Sequence, residues 1–123
     1  QVTFDYSFDI DKELTDRYIR AKKALGSDEV KIQASYSEEQ EKNIYFTLGG
    51  KTSHDDKIDF YTLASEMTLP SSAFIYNANY IQEIFVENKE ATGKGWFDEN
   101  GILKLEFINE KNIKSTYYLP PKE

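Results

Sequence analysis

Cysteine is absent from this chain, and with it any disulfide framework. That excludes the small eukaryotic secreted scaffolds that depend on disulfides, but not a bacterial envelope protein. No Asn-x-Ser/Thr sequon occurs, so glycosylation lends no support to a eukaryotic secretory origin. No stretch approaches the roughly 20 consecutive apolar residues of a membrane helix, and no basic-then-apolar leader opens the chain. Basic residues are the minority: fifteen against 22 acidic ones give a net charge of −7. Such a balance repels phosphate backbones and anionic lipid surfaces, so nucleic acid is not expected as a partner. The chain begins with Gln1 rather than Met and enters a strand pattern almost at once, which suggests an exported protein trimmed of a leader, with a lipid anchor upstream of Gln1 as one form of attachment.

What is present is aromatic and strand-like. Nine Tyr, eight Phe and one Trp stand in 123 residues, enough bulky material for one core and for a single domain, 1–123. Val2, Phe4, Tyr6, Phe8 and Ile10 alternate with polar residues, the mark of a half-buried strand. Asp11 then stands where a helix N-cap would, and Leu14, Tyr18, Ala21 and Leu25 recur at helical spacing before Gly26 supplies a stop. Val30–Tyr36 and Ile44–Leu48 read as a hairpin around a charged turn, and Ile58, Phe60 and Thr62 as a further strand after the polar loop Gly49–Lys57. The stretch Leu63–Ser72 is ambiguous because Pro70 interrupts it. Tyr80–Glu87, rich in β-branched and aromatic residues, reads as another strand. Asn100-Gly101 marks the strongest hairpin, between Lys94–Phe97 and Ile102–Ile108, and Ile113–Leu119 ends the series. The fold class expected is mainly β (α+β): about eight antiparallel strands closing into a barrel or packing as a sandwich, with one N-terminal amphipathic helix. No internal repeat is visible.

The chemical motifs fail one by one. Gly50-Lys51-Thr52 resembles the end of a phosphate-binding loop, but position 45 is Tyr where that loop needs glycine. Gly93-x-Gly95 lacks the third glycine of a dinucleotide fingerprint, so these glycines are expected to allow close approach of neighbouring strands. His54 is the only histidine, and with Asp55, Asp56 and Asp59 it lacks the spacing of a calcium loop, so a solvated loop is expected and no metal. Asp5, Asp9 and Asp11 share the outer face of the first strand, where their charge would discourage edge-to-edge pairing. Twenty-two acidic residues make carboxylate pairs inevitable, and none is singled out for glycosidase chemistry. No enzyme and no cofactor is expected.

The aromatic surplus is the remaining signal. Tyr45, Tyr61, Trp96 and Tyr118 are the candidate ligand-binding residues, because a flat apolar ring with a polar tip suits sugars, peptides and amphipathic ligands.

The run Gly93-Lys94-Gly95-Trp96-Phe97-Asp98-Glu99-Asn100-Gly101-Ile102-Leu103-Lys104-Leu105-Glu106-Phe107 resembles the glycine-rich strand, Asn-Gly turn and alternating strand of small lipocalin-like (calycin-type) lipoproteins of Bacteroidetes-like bacteria. The resemblance implies an envelope-attached barrel holding an apolar ligand, although the early helix departs from the lipocalin order. A strand, a helix and then antiparallel strands is also similar to cystatin-like folds. The expected function is therefore a non-enzymatic, exported cell-envelope domain binding a small apolar or sugar-like ligand, located outside the cell, in the periplasm or on the outer membrane. The alternative is a protein–protein or inhibitor-like β module with an exposed aromatic patch.

Overall fold

The computed structural model describes residues 4–50 and 56–122. Its elements are β1 (Tyr6–Ile10), α1 (Lys12–Leu25), β2 (Glu29–Tyr36), β3 (Lys42–Gly49), β4 (Lys57–Met67), β5 (Ser72–Asn77), α2 (Ala78–Glu87), β6 (Thr92–Phe97), β7 (Leu103–Ile108) and β8 (Lys114–Leu119). The order strand, helix, three strands occurs twice, so the chain is built from two halves of the same plan, a repeat that leaves no trace as sequence self-similarity.

Each half turns from strand to helix at one Asx residue. Asp11 accepts a hydrogen bond from the Leu14 amide at 2.8 Å, and Asn77 accepts from the amides of Asn79 and Tyr80 at 3.0 and 3.1 Å. These bonds satisfy amides that the first helical turn leaves without partners. Gly26 ends α1 in the left-handed region at φ 61°, its amide donating to Lys22 O.

The second helix corrects the expectation of a single one. Tyr80–Glu87 is helical, and Ala78, Ile81, Ile84 and Phe85 are its buried residues. Their spacing of three, three and one fits a helical face. Ile, Val, Tyr and Phe favour strands only where a pleated neighbour receives them, and here the Asn77 cap and the packing against α1 decide otherwise. Leu63–Met67, ambiguous in sequence, continues β4, and Pro70 falls in the connection to β5.

The eight strands form one sheet in the order β5-β2-β3-β4-β1-β6-β7-β8, every pairing antiparallel. This replaces the expected barrel or sandwich: β5 and β8 stand at opposite ends of the order, so the sheet is open. It curls far enough for the Lys122 amide, beyond β8, to donate to Ile75 O on β5 at 2.7 Å. β4 changes partners part-way, residues 57–63 pairing with β3 and 64–67 with β1. β1 lies inside the sheet between β4 and β6, so the aspartates beside it protect no edge. Asp5 instead holds a corner, accepting from Thr68 Oγ1 at 3.1 Å and from the Glu99 amide at 3.1 Å, while Asp11 is the helix cap.

The two helices cover the same face of the sheet and touch each other, with the Tyr18 and Phe85 rings 5.1 Å apart. Beneath them Tyr6, Phe8, Phe46, Phe97 and Phe107 are all under 2% exposed. The glycines of β6 make room for this aromatic layer. A Cβ on Gly95 would stand 2.4 Å from Phe8 Cζ, and one on Gly93 2.6 Å from Phe107.

Candidate functional site

Helix α1 is where charge collects. Its fourteen residues carry five basic side chains against two acidic ones, in a chain whose overall balance is −7. Leu14, Thr15, Tyr18, Ala21 and Lys22 turn toward the core, which leaves Lys12, Asp16, Arg20 and Lys23, at spacings of four, four and three, along the outward face. Arg17, on the side toward β4, pairs with Glu13 at 2.5 Å. Among the described residues Lys12, Arg20 and Lys23 have no ion-pair partner, so their charge is available to an external anion. Helix α2 is the reverse, with Glu83 and Glu87 and no basic residue.

Each helix also flanks a strand with an unpaired side. Among the described residues, 57–63 of β4 pair only with β3, and β8 pairs only with β7. Between α1 and β4 lies a groove of about 310 Å³, with Ala21, Ala24, Ile58 and Phe60 as its floor and Arg17 and Arg20 at its rim. Its counterpart between α2 and β8, 360 Å³, has Ile84, Tyr117 and Leu119 as its floor and Glu83 and Glu87 at its rim.

The four aromatic candidates lie in two places rather than one. Tyr45 and Tyr61 are register partners on β3 and β4, their rings 5.7 Å apart, and Tyr45 Oη accepts from Asn43 Nδ2 at 3.0 Å. Trp96 and Tyr118 flank Lys104 across β6, β7 and β8, with Lys104 Nζ 4.7 Å from the Trp96 ring centre. They form no common pocket. The tyrosines under the helices are structural: Tyr18 Oη donates to Ala78 O at 2.8 Å and Tyr76 Oη to Gly101 O at 2.6 Å. Burial raises both phenol pKa values well above the ordinary range, and the Asp98 carboxylate adds to the effect at Tyr76. His54 lies outside the described residues. Among those described, no three His, Cys, Asp or Glu side chains converge as a metal site would require, and no helix is long and apolar enough to cross a membrane.

The signal that composition concealed is the sign change between the helices. A net charge averages over the surface, whereas a polyanion meets one face of it. The basic spacing on α1 was legible in sequence, but its significance depended on knowing that the helix is exposed on one side of the sheet.

No family model and no curated protein sequence matches the chain. Solved structures do. The proliferating cellular nuclear antigen of Entamoeba histolytica is similar over the whole chain with a TM-score of 0.73 at 16% identity, the DNA polymerase sliding clamp of Pseudomonas aeruginosa with 0.68 at 11%, and the β clamp of Helicobacter pylori with 0.66 at 14%. The chain spans 48% of the first of these chains and 32% of each of the other two. This likeness overturns the lipocalin-like reading, whose quoted run is an ordinary hairpin of β6 and β7, and aromatic side chains fill the space a ligand barrel would keep open. The exported, ligand-binding envelope role expected from the sequence is corrected with it. The exclusion of nucleic acid falls too, since two of these structures are named as clamps and α1 is basic. The fold is that of the sliding clamps.

Proposed function

We propose that the chain is a single clamp-like domain, 1–123, of a DNA-associated assembly, non-enzymatic, which presents α1 to the phosphate backbone and its sheet to protein partners. The observation that carries this reading is the basic outward face of Lys12, Arg20 and Lys23 in a chain of net charge −7. An acidic protein with one basic helix binds a polyanion weakly and in one orientation, because the rest of its surface is repelled. That suits holding DNA loosely without reading its sequence. Helix α1 carries no Asn or Gln of the kind that reads adenine edges, and contacts to phosphate alone fix position without choosing sequence. On this reading Tyr45, Tyr61, Trp96 and Tyr118 are protein-contact residues.

Titration of duplex DNA by fluorescence anisotropy at several salt concentrations tests it. Weak, sequence-independent binding is expected to fall as salt rises. Each phosphate contact contributes a slope of about −0.9 in log K against log salt, so Lys12→Glu with Lys23→Glu should flatten the line by about 2. Binding that is absent at low salt, or unchanged in the double variant, overturns the reading.

A further inference from the structure

Lysines and rings share a strip across β6, β7 and β8. Trp96, Lys104 and Tyr118 are register partners in one row, Lys94, Glu106 and Thr116 form the next, and Thr92, Ile108 and Lys114 the one after. Lys104 Nζ stands 4.7 Å from the Trp96 ring centre and 5.9 Å from that of Phe4, and Lys94 Nζ stands 5.7 Å from the Trp96 centre. Two cations therefore rest against one indole, the ring that holds a cation best. Tyr118 and Ile108 lie exposed beside them.

The chain answers this charge only in part. Glu106 lies 3.8 Å from Lys104 Nζ and 4.0 Å from Lys114 Nζ, both longer than the roughly 2.7–2.9 Å of a charge-assisted hydrogen bond. One carboxylate is thus shared loosely between two lysines. Lys94 has no ion-pair partner among the described residues, although Asp9 is its register neighbour on β1. The strip is left with positive charge to spare in a chain of net charge −7.

We propose that this strip receives a short acidic segment of a protein partner, with carboxylates on Lys94, Lys104 and Lys114 and an apolar side chain against Trp96. The inference rests on the reading of the sheet as a protein-contact surface and deepens it by naming the partner's chemistry. Lysines already held over the indole lose little freedom when a carboxylate arrives, so the cation–π contacts preorganise the charge. Trp96 supplies the kind of aromatic anchor around which contact surfaces concentrate their energy. Extent then selects a short segment over a strand of nucleic acid. Asp9 and Glu66 border the strip through β1, and Glu83 and Glu87 stand beyond Tyr118. A polyanion runs off the lysines onto these carboxylates, whereas a peptide with a few acidic residues ends before them.

Trp96 is the only tryptophan, so its fluorescence reports on this strip alone. A short synthetic peptide in which Glu alternates with Phe is expected to change that fluorescence saturably and more weakly as salt rises. The same peptide with Lys in place of Glu should leave it unaltered. Anisotropy of the labelled Glu–Phe peptide gives the affinity, which Lys94→Glu with Lys104→Glu should weaken by about tenfold. Lys104→Met, which keeps the stem beside the ring and removes the charge, should weaken it in the same direction, and Lys12→Glu with Lys23→Glu should leave it unchanged. A Trp96 signal that ignores the acidic peptide, or answers both peptides alike, overturns the proposal. Binding lost in the α1 variant and kept in the strip variants does so too. Oligothymidylate that moves the Trp96 signal at lower concentration than the peptide overturns it in favour of single-stranded nucleic acid. The two readings fail separately. Duplex DNA bound through Lys12 and Lys23 with a silent Trp96 loses the strip and keeps the clamp-like function, and a Trp96 response to the peptide without duplex binding does the reverse.

Discussion

The first half of the chain, β1 to β4, and the second, β5 to β8, follow one plan with different material. In the first, α1 runs fourteen residues and is basic; in the second, α2 runs ten and is acidic. In the first, β2 carries Val30, Ile32 and Ala34 toward the core; in the second, its counterpart β6 carries Gly93 and Gly95, and neighbouring rings of Phe107 and Phe8 occupy the space. The plan is therefore held by where apolar volume falls, not by which residue supplies it. What differs between the halves is the surface, and surface charge is where function is read.

The largest effect expected tests how the halves are joined. Tyr18 of α1 packs edge-on against Phe85 of α2 and its hydroxyl donates to Ala78 O across the divide. Tyr18→Ala removes a fully buried ring and should cost about 3–5 kcal/mol by chemical denaturation, in line with large-to-small substitution of core aromatics. A cost within that of an exposed substitution would mean that the halves hold together without the helix contact. Next in size is the volume exchange of β6. Gly95→Ala drives a methyl into Phe8 and should destabilise by about 1–3 kcal/mol, as overpacking does. Adding Phe8→Leu should recover part of that loss, and no recovery would show that the backbone rather than the ring demands glycine.

Alkaline titration separates the same pair of halves by their buried phenols. Tyr18 in the first half and Tyr76 in the second both have pKa values raised by burial. The unfolded chain then loses these protons near the ordinary value of about 10, before the folded chain does. Stability should be flat below that pH and fall above it, by up to about 1.4 kcal/mol per pH unit for each group. Tyr76→Phe should lessen the fall, and an equal slope in wild type and variant would show that this phenol is not withheld from solvent.

Much of the architecture was legible in the residues. The alternation of Tyr6, Phe8 and Ile10, the caps Asp11 and Gly26, and the Asn100-Gly101 turn correspond to observed elements because each depends on local geometry. Glycine at 93 and 95 was legible as close strand approach for the same reason. Tyr80–Glu87 was misread since its intrinsic preference and its tertiary setting disagree, and only the packing of α2 against α1 settles the matter. The site was less legible still. Neither the change of sign between the helices nor the unpaired sides of β4 and β8 is a property of any local stretch, because each depends on which elements the fold leaves uncovered.

The smallest effect expected comes from the two caps, and it asks whether the halves are electrostatically as well as structurally equivalent. Asp11 and Asn77 hold corresponding places, yet one is charged and the other neutral. Loss of either side chain to alanine should cost about 1 kcal/mol. Exchange is more informative. A carboxylate at a helix N-terminus gains about 0.3–1 kcal/mol from the helix dipole at low salt, and α2 has no acidic residue in its first turn. Asn77→Asp should therefore stabilise the protein. Opposing this is Asp28, whose Oδ1 accepts from Asn79 Nδ2 at 3.3 Å and whose carbonyl accepts from the Ala78 amide at 2.9 Å. A second carboxylate close to it would be repelled, so the gain should lie at the lower end of that range and grow in an Asp28→Asn background. Thermal unfolding of the four-member cycle measures the coupling: a gain independent of residue 28 would show that the two carboxylates do not sense each other, and a net loss that repulsion outweighs the dipole at this terminus.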